Sequence, residues 1–181
     1  MTAEAMTPKL TSLIFAPAIL LSVLMLGASL CSYAADSTVK VQLSPKRVGP
    51  REVEHLTQQG ILRDYRLAWT SMAQALEFNT PDPLEGPFAG DAKQELLQTV
   101  SQQQHSGLTQ RYLDQNHQLE EVFYAPEGDV MELHDTAQFQ LQVSDGGKII
   151  HHEHVVLHFI VLMTPAADRW VIRQLQAVPQ F

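Results

Sequence analysis

The chain has 181 residues, 12 of them Lys or Arg against 20 Asp or Glu, for a formal net charge of −8. An acidic chain without a basic stripe excludes nucleic acid as a natural partner, because phosphate contacts need clustered Lys and Arg. The residues after Ala35 suffice for one domain of ordinary size with its own hydrophobic core.

Lys9 is followed by an uncharged stretch from Leu10 to Ala35 that contains Leu-Ile-Phe-Ala-Pro-Ala-Ile-Leu-Leu-Ser-Val-Leu-Met-Leu-Gly. A basic start, an apolar run, and then the small residues Ser32 and Ala34 at the −3 and −1 positions form an export signal cleaved before Ala35. The alternative is an uncleaved membrane tether through residues 10–30, since a span needs about 20 apolar residues. Both readings place the remaining chain outside the cytoplasm. Cys31 is the only cysteine, and Leu30 stands where a lipoprotein signal needs a small residue. A chain cleaved after Ala34 therefore has no disulfide and depends on its core alone. Residues 36–49 lack periodicity and read as a linker, with Lys46, Arg47 and Arg51 as solvated charge.

The domain is expected over residues 50–181. Pro50 with Glu52 and Glu54 suits a helix start. Ile61, Tyr65, Ala68, Trp69, Met72, Ala75 and Leu76 recur at helical spacing up to about Phe78. Pro81 and Pro83 stop that helix. A second helix opens near Asp91 and ends at His105-Ser106-Gly107, with a short helical piece through Tyr112. The period then changes to two. Strands are expected at Leu119–Tyr124, Val130–Ser144, Ile149–Met163 and Trp170–Val178. Asp145-Gly146-Gly147-Lys148 is a two-residue hairpin signal. Helices followed by a meander predict an α+β fold, the N-terminal helices packed on an antiparallel sheet.

This order, with Ala68-Trp69 in the long helix and Arg169-Trp170-Val171-Ile172 in the last strand, resembles the nuclear transport factor two-like (cystatin-like, SnoaL-like) superfamily over residues 50–181. Phe88-Ala89-Gly90-Asp91-Ala92, with Gly107 and Tyr112, is similar to its mitochondrial-import-type branch. The resemblance implies a curved sheet that wraps the helices into a cone with a pocket at the open end. The superfamily holds isomerases, dehydratases, epoxide hydrolases and domains that only bind, so fold alone does not choose an activity.

With Gly146-Gly147 as the loop, one-for-one pairing places Leu141 opposite His152, Phe139 opposite His154 and Asp135 opposite His158. Extending the register puts Arg173 on the same face. An acid beside an imidazole could serve general acid–base catalysis. The alternative is a buried carboxylate satisfied by its neighbours. The pocket is expected to be lined by Tyr65, Trp69, Phe139, His154 and Arg173. The first reading is a domain binding a small apolar ligand or a protein without catalysis. The second is an isomerase, dehydratase or hydrolase using Asp135 and His158.

His152 and His154 form a His-x-His pair, but His158 lies about 13 Å further along the strand, too far to complete one ion's shell. No metal or cofactor is therefore expected. A glycine-rich phosphate loop and a Gly-x-Ser-x-Gly motif are both absent. On the opposite face the same register lays out Val155, Leu157, Phe159 and Val161, an apolar run suited to a homodimer.

Overall fold

The computed structural model describes residues 39–44 and 51–181. The export signal or tether, Cys31, Lys46-Arg47 and Pro50 lie outside the described residues. Among the described residues, no helix is long and apolar enough to cross a membrane.

The long helix, α1, spans His55–Phe78. It begins later than the Pro50 pattern suggests, because Val53 is buried in the core ahead of it and Glu54 is an extended N-cap. Its expected inner face is buried from Ile61 through Leu76. Asn79 ends it in the left-handed region at φ 52°, a conformation asparagine tolerates better than most residues. A single 3-10 turn at Asp82–Leu84 leads to α2, Gly90–Ser106, which Gly107 terminates at φ 73°.

The sheet is mixed, in the order β1-β2-β3-β4-β5, and the two helices pack on its inner face. Strand β1, Lys40–Ser44, pairs in parallel with residues 116–120 of β2, whereas all other neighbours are antiparallel. This strand falls within the stretch read as a linker; Val39 and Val41 carry its inner side into the core. Strand β2 is Leu108–Tyr124, so the helical piece expected up to Tyr112 is strand instead. Two features hid it. Its inner face carries Gln110, Gln115, His117 and Glu121, and a bulge between Leu113 and Asn116 breaks the period of two. Asp114, at φ 51°, sits in that bulge and accepts a hydrogen bond from Gln140 Nε2 at 2.9 Å.

Strands β3 (Met131–Asp145) and β4 (Lys148–Pro165) form the central hairpin. Gly146 and Gly147 both have positive φ, as such a turn requires, and Asp145 faces Lys148. One pair further on, Ser144 faces Ile149, but the next pair is Val143 with His151. Ile150 is thus the extra residue of a β-bulge, and every later residue of β4 changes face relative to one-for-one pairing. Asp135 consequently stands opposite Phe159, and His158 opposite Thr136.

The expected outer apolar run is therefore internal: Phe159 and Val161 are buried against the helices, and Val155 and Leu157 lie half-buried on the same side. His152, His154 and His158 turn outward instead. That removes the apolar run on which a homodimer through the outer face was expected. Strand β5, Trp170–Val178, carries a second irregularity: Leu162 faces Gln174 while Met163 faces Ile172, which leaves Arg173 as an exposed extra residue.

Candidate functional site

A cleft of about 270 Å³ opens between α2 and the inner face of the sheet. Trp69, Met72 and Leu76 of α1 form its floor, and Ala92, Glu95, Leu96 and Thr99 of α2 form one wall. The sheet contributes Gln110, Tyr112, Phe139, Leu157, Phe159 and Leu175. The four rings are contiguous: Trp69 lies 5.6 Å from Phe159 and 6.3 Å from Phe139, which is 4.9 Å from Tyr112, measured between centroids. This volume lies just below the usual range of ligand pockets, about 300–1,000 Å³, and like them the cleft is mostly apolar with a few convergent polar groups. Those groups here are Glu95, Thr99, Gln110 and the Tyr112 hydroxyl, whose pKa burial pushes up to about 12.

Behind the floor lies a sealed polar cluster. Asp135 has no exposed surface, and its Oδ2 accepts hydrogen bonds from the Tyr65 hydroxyl at 2.7 Å and from His117 Nδ1 at 2.7 Å. That geometry assigns the His117 proton facing Asp135 to Nδ1. Burial, followed by the Asp135 charge, holds the Tyr65 hydroxyl well above its ordinary pKa, so it remains a donor. The Trp69 indole N–H approaches the Tyr65 oxygen without completing a hydrogen bond. Asp135 Oδ1, His117 Nε2, both amide atoms of Gln115 and Glu121 Oε1 are also buried without a protein partner.

Trp69 separates this cluster from the cleft. Its ring lies 4.2 Å from that of His117, and neither His117, Asp135 nor Tyr65 lines the cleft. Of the residues expected in the pocket, Trp69 and Phe139 do line it. Tyr65 is bound to Asp135, His154 is exposed on the outer face opposite Gln140, and Arg173 lies against Gly90 at the start of α2. His158 contacts Thr136 Oγ1 at 3.2 Å and meets the edge of Phe181, which also stacks on His134 at 4.1 Å. The structure thus brings Asp135 together with Tyr65 and His117, not with His158 or Arg173. His117 was the residue sequence reasoning missed. Continuing the alternation of Leu119 back by two residues would have found it.

Among the described residues, no group of three or more His, Cys, Asp or Glu side chains is placed to hold a metal ion.

No protein-family model and no curated protein matches the chain. Among solved structures, it is similar to the intermembrane space region of the chloroplast protein ARC6, with a TM-score of 0.56 at 12% identity. The match covers 71% of this chain and 98% of that one. At this identity the likeness concerns the fold alone.

Proposed function

We propose that this chain is an extracytoplasmic binding domain, without catalysis, that holds a small apolar ligand in the cleft between α2 and the sheet. The observation that carries this reading is the make-up of the cleft: four aromatic rings and six other apolar side chains, with the buried Asp135–His117 pair shut away behind Trp69. Asp135 and His158 stand on opposite faces of the sheet, so they are not within reach of a common substrate. The order of helices followed by a meander supports kinship with nuclear transport factor two-like domains. The basic, apolar and small-residue pattern of residues 1–35 supports the location.

Binding is tested with Nile red, a neutral apolar dye whose fluorescence rises on leaving water. The parent should bind it, and Thr99→Trp, which fills the cleft from a half-buried position, should weaken binding at least about tenfold while leaving the melting temperature near the parent's. Equal binding by both proteins would place the dye elsewhere and defeat the proposal. For location, protein recovered from its host should have the intact mass of a chain beginning at Ala35. A full-length chain in the membrane fraction would support the tether, and a full-length chain in the cytosol would overturn an extracytoplasmic location.

A further inference from the structure

The one charged side chain that lines the cleft is negative. No Lys, Arg or His lines it, and Glu95, on the exposed side of α2, is its only carboxylate. The cations next to it are both engaged: Lys93 by Glu85 at 2.7 Å, and Arg111, between the lining residues Gln110 and Tyr112, by Glu77 at 3.2 Å. The sheet wall continues in the same sense. Tyr112 pairs with Leu141, and Leu141 with Glu153, so a second carboxylate follows the aromatic row on the inner side of the hairpin. Glu153 contacts His151 at 3.2 Å, and both side chains are about half exposed. The net charge of −8 adds a long-range field of the same sign.

An aromatic row next to carboxylates attracts one class of ligand head and repels another. The negative faces of Trp, Tyr and Phe rings draw cations, and quaternary ammonium groups are recognised this way. A carboxylate ligand would enter beside Glu95 with no cation in the lining to offset the repulsion or its lost hydration.

We propose that the ligand of this cleft is an apolar molecule with an amine or ammonium head, and not a fatty acid or other carboxylate. The proposal rests on the binding reading above and narrows it to a chemical class. The apolar body would lie on Trp69, Phe139 and Phe159, with the head at the mouth near Glu95 and Tyr112.

Displacement of Nile red at pH 7 by octyltrimethylammonium, octanoate and 1-octanol separates the two claims, since these share a chain and differ in charge. The ammonium should bind about tenfold more tightly than octanoate, as expected for a cation on an aromatic wall beside a carboxylate. Glu95→Gln should narrow that ratio about 2–5-fold, the size of one solvent-exposed charge interaction. Octanol displacing the dye while octanoate equals or exceeds the ammonium would overturn the charge class and leave the cleft as an apolar site. Failure of all three probes and of Nile red itself would overturn the binding reading as well. An unchanged ratio in Glu95→Gln would overturn the role given to Glu95.

Discussion

Tyr65 on α1 and Asp135 on β3 are joined by a hydrogen bond of 2.7 Å in a part of the core with no exposed surface, and His117 from β2 binds the same carboxylate oxygen. This one oxygen ties the long helix to two central strands. Asp135→Ala would leave two buried donors unsatisfied, and loss of about 3–5 kcal/mol is expected, as for other broken buried pairs. Tyr65→Phe removes only one bond to a charged acceptor, so about 1.5–3 kcal/mol is expected. Urea melts of the two variants measure both values. An Asp135→Ala protein as stable as the parent would mean the cluster holds nothing together.

Glu121 points inward from β2 with Oε1 unpartnered, and burial raises its pKa above the ordinary 4.5. A carboxyl whose pKa is raised by folding favours the folded state while protonated. That contribution is complete below the unfolded pKa and is lost as pH rises through the folded value. Glu121→Gln keeps the shape and removes the charge. The variant should match the parent near pH 4 and become the more stable of the two as pH rises to 7. Melting temperatures at the two pH values decide it, and a gap that shrinks with rising pH would show the carboxylate to be stabilising.

Asp64, also buried, fixes the start of β5. Its Oδ2 accepts the Trp170 backbone N–H at 2.7 Å, while Arg63 spans both carboxylate oxygens at 2.8 and 3.0 Å. Asp64→Ala would strand a part-buried backbone donor, with an expected loss of about 1–3 kcal/mol. Hydrogen exchange at the Trp170 amide should accelerate more than at Val161, in the middle of β4. Uniform acceleration would make the effect global instead of local.

The helices and the hairpin turn were legible because their signals are local. Apolar residues at helical spacing mark α1, and two glycines with positive φ mark the turn. The site was less legible because its register depends on bulges, which leave no such mark. Ile150 is as apolar as its neighbour Ile149, and nothing in its type says that it is unpaired. One extra residue sufficed to exchange His158 for Phe159 beside Asp135. The polar inner face of β2 hid His117 for a related reason, since alternation is read from apolar residues and this strand buries Gln115, His117 and Glu121.

The bulge itself can be tested by deletion. Ile150 is 57% exposed, and removing it makes Ser144–Ile149 and Val143–His151 consecutive pairs with all later pairs unchanged. Stability should remain within about 1 kcal/mol of the parent, the range of a surface change that removes no buried contact. Deleting Val156, itself 50% exposed, is the contrasting case. Residues from Leu157 onward can keep their partners only if the bulge disappears and the stretch before them pairs one-for-one. His154 would then turn inward opposite Phe139, His152 opposite Leu141, and Val155 outward. Burying imidazoles on an apolar face without partners should make this deletion about 1–3 kcal/mol worse than loss of Ile150. Urea melts of the two deletions, made side by side, give the comparison. If losing Ile150 is as damaging as losing Val156, the extra residue is not at Ile150, and the placement of Asp135 opposite Phe159 fails with it.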